Sequence, residues 1–91
     1  MLCEAALGNT KEYHHFYQDA DTLPAGCNST HGIGRAIPDP AQAKTIDGDI
    51  VVPCGKEIRN PDGMAGIGHN EFIVYNTNQI RMRYLVKCKF N

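Results

Sequence analysis

The sequence predicts a small, mostly β domain of the α+β class, and three observations carry that expectation. Ile80, Met82, Tyr84, Val86, Cys88 and Phe90 alternate with Arg81, Arg83, Leu85, Lys87 and Lys89, a period of two that marks a long strand with one buried face. Asp47-Gly48 and Asn60-Pro61-Asp62-Gly63 are strong turn signals. Nine glycines and five prolines, most of them between Gly26 and Gly68, divide the middle of the chain into loops with short strands between them. At 91 residues there is room for one small domain, and 42% hydrophobic content argues against disorder.

Taken in order, Leu2-Leu7 (LCEAAL) has the propensity of a helical turn closed by Gly8, but it is too short for a stable helix. A strand with Cys3, Ala5 and Leu7 on one face fits equally well, and local preference does not decide between them. In Lys11-Asp21, Tyr13, Phe16 and Tyr17 are spaced for one helical face, which predicts a short helix or an aromatic-anchored loop. Leu23-Pro24-Ala25-Gly26 is a turn. Gly32 and Gly34 form a Gly-x-Gly, but no strand–GxGxxG–helix frame surrounds it, so a dinucleotide-binding loop is rejected. Ile37-Pro38-Asp39-Pro40 is extended because each proline restrains the residue before it. Ile50-Val51-Val52-Pro53 reads as a short strand whose end Pro53 places at an edge. The chain closes with a predicted hairpin, Glu71 to Tyr75 turning through Asn76-Thr77-Asn78-Gln79 into residues 80–90. Two such strands are marginal alone and call for a third strand or a second layer.

Net charge is -1, so no global field favours nucleic acid or a membrane surface. Residues 1–80 hold ten acids and five basic residues, whereas residues 81–91 hold Arg81, Arg83, Lys87, Lys89 and no acid. That stripe reads first as a solvated, edge-protecting strand face and second as a phosphate-binding stripe. The cysteines at 3, 27, 54 and 88 share no CxxC spacing, and the N-terminus does not read as a signal peptide. Free thiols in a reducing compartment are expected, with neither a zinc knuckle nor a disulfide framework. His14 and His15 are adjacent, so they fall on different faces and do not suit a metal pair; no metal site is predicted. No run approaches the ~18 apolar residues of a membrane span. Asn28-Ser29-Thr30 matches a glycosylation sequon, which means little without secretion.

The chemistry-bearing candidate is Glu71, an acid leading into the apolar run Phe72-Ile73-Val74-Tyr75. Alternation gives it a face with Ile73 and Tyr75; if one face is the core, the acid begins the strand where it emerges into a cleft. A carboxylate there can accept hydrogen bonds from hydroxyls and stabilise developing positive charge, as at a sugar anomeric carbon. The plain alternative is an exposed acid at a strand start. Asp47, Asp49, Glu57 and Asp62 lie in or near turns and form no carboxylate pair with it, and no serine or cysteine sits in a nucleophile motif.

Several stretches carry a family resemblance: Leu2-Asn9, Asn28-Arg35, Pro38-Asp39-Pro40, Asp47-Gly48 with Val52-Pro53 and Gly55, and above all Asn70-Asn76 followed by Asn78-Val86. In order along nearly the whole chain they resemble the C-terminal part of the poly(ADP-ribose) polymerase catalytic domain, most closely that of the nuclear, DNA-break-dependent members. The resemblance implies the toxin-like ADP-ribosyltransferase fold of two packed antiparallel sheets, with residues 1–91 as its C-terminal portion and Leu2-Leu7 as a central strand. It implies NAD+ as substrate, with no metal, and transfer of ADP-ribose to protein side chains or to a growing ADP-ribose chain as nicotinamide leaves. Glu71 matches the family's catalytic glutamate, which holds the nicotinamide ribose 2′-hydroxyl and orients the acceptor hydroxyl. Asn70 and Phe72 resemble its neighbours, Phe72 replacing a common tyrosine. His69, where the nuclear members usually carry tyrosine, is with Asn70 an acceptor-side candidate, and its change implies altered chain length or branching. The family's NAD-gripping histidine and tyrosine lie upstream of the matched stretch, so no cofactor-binding residue is identified here and the isolated chain is expected to be an inactive fragment. A non-catalytic binding module and one half of a split domain are the alternatives. Acceptor proteins and ADP-ribose chains are the implied partners, DNA only through other regions, no membrane, and the nucleus the implied location.

Overall fold

A computed structural model describes residues 1–14, 22–64 and 66–90. Among these the strands are β1 (Leu2–Ala5), β2 (Thr10–Tyr13), β3 (Ser29–Gly32), β4 (Ala36–Pro38), β5 (Lys44–Ile46), β6 (Ile50–Val52), β7 (Glu57–Arg59), β8 (Glu71–Val74) and β9 (Ile80–Tyr84). Two short 3₁₀ turns, Pro40–Gln42 and Thr77–Gln79, accompany them. No α-helix occurs among the described residues, so the chain is almost entirely β and the helical part of the predicted α+β class is not found there.

The strands form four small sheets, ordered β1-β9, β2-β3-β8, β4-β7 and β5-β6. Every pairing is antiparallel except β2 with β3, which is parallel. Leu2–Ala5 is a strand despite its helix-forming residues, because β9 supplies a ladder partner and tertiary pairing outweighs weak local propensity. Of the span Lys11–Asp21, read as a short helix or an aromatic-anchored loop, Lys11, Glu12 and Tyr13 are strand, paired with Thr30, His31 and Gly32. Phe16 and Tyr17 of that prediction lie outside the described residues. The short strand expected at 50–53 is present over Ile50–Val52, ending one residue before Pro53, and so is the Asp47-Gly48 turn. Asp47 and Gly48 adopt left-handed φ values of 50° and 92°, which aspartate tolerates and glycine favours.

The predicted C-terminal hairpin is not formed. β8 pairs with β3 and β9 with β1, so consecutive strands enter different sheets. The reason lies in the connection. Asn76 Oδ1 accepts from the Asn78 amide (2.9 Å), winding 77–79 into a 3₁₀ turn in place of a tight reversal. Gln79 then bridges the two sheets. Its Oε1 accepts from the amides of Tyr75 (3.2 Å) and Asn76 (3.0 Å), while its Nε2 donates to the carbonyls of Ala6 (3.0 Å) and Asn28 (2.8 Å). Its own carbonyl accepts from the Ala6 amide (2.8 Å). The last strand also stops at Tyr84 rather than continuing to residue 90, because its partner β1 ends there in the Leu2↔Tyr84 pair.

The β1-β9 register slips between Leu2, opposite Tyr84, and Cys3, opposite Met82, which leaves Arg83 as an extra residue on β9. Arg83 Nη1 donates to Glu4 Oε2 (2.8 Å) and Nη2 to Asp47 Oδ2 (2.7 Å), while Arg81 Nε lies 3.4 Å from Glu4 Oε1. The hydrogen bond to Glu4, then that to Asp47, raises the Arg83 guanidinium above its usual range. Both arginines of the basic stripe are thus paired with carboxylates, which favours the plain reading of that stripe over phosphate binding.

Among the described residues the buried apolar side chains are Ile33 and Met64, with Ser29 and Thr30 buried beside them. The buried hydroxyls are satisfied. Ser29 Oγ donates to Leu7 O and bonds Thr10 Oγ1, both at 2.8 Å, and Thr30 Oγ1 bonds Tyr75 Oη at 3.2 Å. Much larger apolar surface is open, including Leu2, Val51, Phe72, Ile80, Met82, Tyr84 and Leu85. The radius of gyration, 14.2 Å, exceeds the roughly 12 Å expected of a compact chain of this length.

Gln79→Ala should remove about 2–3 kcal/mol, since four backbone groups lose a partner at once. Gln79→Glu, although isosteric, should destabilise comparably by turning an anion toward two carbonyls. Urea unfolding followed by circular dichroism measures both, and unaltered midpoints would rule out the bridging role.

Candidate active site

Glu71 opens β8 directly opposite Gly32 of β3. A Cβ on Gly32 would lie 3.0 Å from Ile67 Cδ1 and 3.8 Å from Glu71 Cβ, so the glycine keeps space clear beside the acid. Glu71 is exposed, and its carboxylate makes no ion pair or hydrogen bond among the described residues. The alternation inferred from sequence agrees with the side-chain contacts. Thr30, opposite Ile73, reaches Tyr75 Oη, so Glu71, Ile73 and Tyr75 share one face. An exposed carboxylate with free lone pairs at a strand start can accept hydroxyl hydrogen bonds and oppose developing positive charge.

On the other face, His31 lies opposite Phe72 and their rings stack at 4.0 Å with planes 20° apart. That contact stiffens the residue next to Glu71. His31 Nε2 is shielded from solvent and has no hydrogen-bond partner among the described residues.

Residues leading into Glu71 are held by a second close approach. Gly34 N donates to Asn70 Oδ1 (2.9 Å), the Arg35 amide to Ile67 O (3.2 Å) and the Ala36 amide to Gly68 O (2.9 Å). A Cβ on Gly34 would fall 2.3 Å from His69 C and 2.4 Å from Asn70 N. Asn60 Nδ2 bonds the Gly34 carbonyl (3.2 Å) from the opposite side. The Asn70 side-chain oxygen is therefore engaged in fixing backbone. His69 points away toward β7, its Nε2 3.6 Å from Glu57 Oε1, a contact that is ionic only when the imidazole is protonated. Both side chains are well exposed, so this pair contributes at most about 1 kcal/mol.

Of the residues singled out from sequence, Asn70 engages its side-chain oxygen and His69 its Nε2, whereas neither carboxylate oxygen of Glu71 has a partner among the described residues. Gly32, His31, Asn60 and Glu57 were not anticipated. The Gly-x-Gly spacing at 32 and 34 was the one available signal, and its use is close backbone approach rather than phosphate binding. Among the described residues no group of three histidine, cysteine, aspartate or glutamate side chains is placed to hold a metal ion. No helix among them is long and apolar enough to cross a membrane, and the four cysteines are free.

The described residues form small β-sheets, with the Glu71 carboxylate unengaged at the start of β8, and comparison with known proteins defines the class of the chain. The family model of the poly(ADP-ribose) polymerase catalytic domain matches residues 1–90. Poly [ADP-ribose] polymerase 2 of Arabidopsis thaliana is 43% identical over 91 residues, covering 100% of this chain and 14% of the relative. Poly [ADP-ribose] polymerase 2-A of Oryza sativa subsp. japonica is 45% identical over 91 residues, again 100% of this chain and 14% of the relative. Poly [ADP-ribose] polymerase 2 of Homo sapiens is 43% identical over 95 residues, 100% of this chain and 16% of the relative. The chain belongs to the poly(ADP-ribose) polymerase catalytic-domain family, and it spans well under a fifth of the length of these relatives.

Gly34→Ala should cost about 1–3 kcal/mol, because backbone rather than a flexible side-chain tip would have to move. Gly68→Ala, with nothing within 4 Å of the added Cβ, should be nearly neutral. Urea midpoints of the two variants, with amide chemical shifts of Asn70 and Glu71, separate these outcomes.

Proposed function

We propose that this chain supplies the Glu71-bearing, C-terminal portion of an ADP-ribosyltransferase domain of the toxin-like, two-sheet type. In the reaction the bond between the nicotinamide nitrogen and the ribose anomeric carbon breaks, and nicotinamide leaves with the bonding pair. A hydroxyl or carboxylate oxygen of a protein acceptor, or a hydroxyl of a growing ADP-ribose chain, bonds to that carbon, and an attacking hydroxyl gives up its proton to solvent. Glu71 accepts the ribose hydroxyl, opposes positive charge on the oxocarbenium-like sugar and orients the attacking hydroxyl. His69 and Asn70 border the acceptor side, Asn70 by shaping the backbone and His69 by its exposed imidazole. The nucleus is the proposed site of action, and DNA would act through other regions of the longer proteins. The single observation that carries this reading is the free, exposed carboxylate of Glu71 at the start of β8, within a chain whose family match runs over residues 1–90.

By itself the 91-residue chain is proposed to be inactive. One carboxylate contributes charge stabilisation but cannot position both NAD+ and acceptor, and positioning supplies much of the catalytic effect. The open apolar faces favour a related reading, in which further polypeptide must cover these sheets before the site is complete.

The isolated chain should release no nicotinamide from NAD+. Joined to the preceding part of the catalytic domain of the Arabidopsis relative, it should do so, and Glu71→Gln in that chimera should lower the rate about 10²–10³-fold. Equal nicotinamide release by the wild-type and Gln chimeras would sink the assignment of Glu71.

A further inference from the structure

The β5-β6 hairpin differs from the rest of the molecule in how it is held. Its residues are exposed or half-buried along its whole length, with Val51 65% exposed. Beyond its own ladder, the one hydrogen bond from residues 44–51 to the rest of the molecule, among the described residues, is that from Arg83 to Asp47 at the tip. The base, by contrast, is pinned. Lys56 N donates to Gln42 Oε1 (2.7 Å), Asp39 N donates to Lys56 O (2.8 Å), and a Cβ on Gly55 would fall 2.3 Å from Asp39 O.

The tip contact is a built one. The register slip in β1-β9 makes Arg83 the extra residue of its strand, and its side chain is only 20% exposed. Glu4 is shared between Arg81 and Arg83, so the cluster Arg81–Glu4–Arg83 carries one positive charge more than negative without Asp47, and Asp47 neutralises it. Asp49, in the same turn, has no such partner among the described residues.

We propose that Arg83 is a charge latch, and that the β5-β6 hairpin is a strap which pivots about its pinned base when Asp47 is released. Released, the hairpin is a two-stranded ribbon without a second layer, and such ribbons are marginal in water. Its amides then exchange quickly while the remaining sheets stay closed. The pivot leads into β7, where Glu57 meets His69, so the strap is continuous with the segment that precedes Glu71.

Hydrogen exchange on the full 91-residue chain, resolved by residue, tests this. Asp47→Asn keeps the shape of the side chain and tolerates the left-handed φ, but removes the charge. It should speed exchange of the amides of β5 and β6 about tenfold while leaving the β3-β8 ladder unchanged. Sodium chloride at about 0.5 M should speed wild-type exchange in the same residues, because the carboxylate at the tip is exposed to screening. Asp49→Asn should change nothing. The latch is overturned if Asp47→Asn leaves hairpin exchange unaltered, if β3-β8 accelerates equally, if Asp49→Asn has the same effect, or if the wild-type hairpin is already unprotected.

Discussion

The side chain of Gln79 is the junction on which the arrangement of sheets depends. One amide group accepts from two backbone N–H groups of the segment leaving β8 and donates to the carbonyls of Ala6 and Asn28, which follow β1 and precede β3. A primary amide can do this because it carries two donors and two acceptor lone pairs on one rigid plane. Lysine lacks the acceptor and glutamate the donor. The same residue adds its main-chain carbonyl to Ala6, so the β1-β9 ribbon and the β2-β3-β8 sheet are locked at one point. Without that point nothing in the hydrophobic core would compensate, since the buried apolar side chains among the described residues are Ile33 and Met64.

Polar and charged interactions hold together what apolar burial does not. Asn9 ties to Asn28 and to the Gly26 carbonyl, Asn60 to Gly34, Asn70 to Gly34, and Arg83 to two separate elements. Such bonds contribute modestly, about 1 kcal/mol each when net of water, but leaving them unmade inside a structure costs more. The chain therefore has a well-specified backbone and an open surface. Its exposed Leu2, Ile80, Met82 and Tyr84 lie on a two-stranded ribbon that lacks a covering layer. That pattern agrees with a chain that spans 14% of its plant relatives.

The candidate site follows from the same economy. Two glycines in the stretch Gly32-Ile33-Gly34 allow β8 and its approach to come within contact of β3 and β4, where any Cβ would meet Ile67 or the His69-Asn70 backbone. Asn70 is drawn into that packing, His31 stacks on Phe72, and Glu71 is left as the group with nothing to bind. A carboxylate without a partner among the described residues can accept a hydroxyl hydrogen bond without breaking an existing one, which is why the proposed function rests on it.

Much of this was legible in the residues. Alternation marked the strand at 80 and beyond, Asp47-Gly48 and Asn60-Pro61-Asp62-Gly63 marked turns, and the run from Asn70 onward pointed to the family. The hairpin between β8 and β9 was misread, because alternation reports which face a residue takes and not which strand it pairs with. Leu2–Ala5 could not be settled locally, since four residues of mixed propensity take their conformation from β9. Arg83 looked like one more cation of a stripe until a register slip turned it onto Glu4 and Asp47. The sequence by itself determined local periodicity and turn positions, both of which depend on neighbouring residues. Tertiary structure alone decided the sheet partners, the role of Gln79 and the surroundings of the Glu71 carboxylate, because these depend on groups far apart in the chain, as Gln79 and Ala6 are at 73 residues.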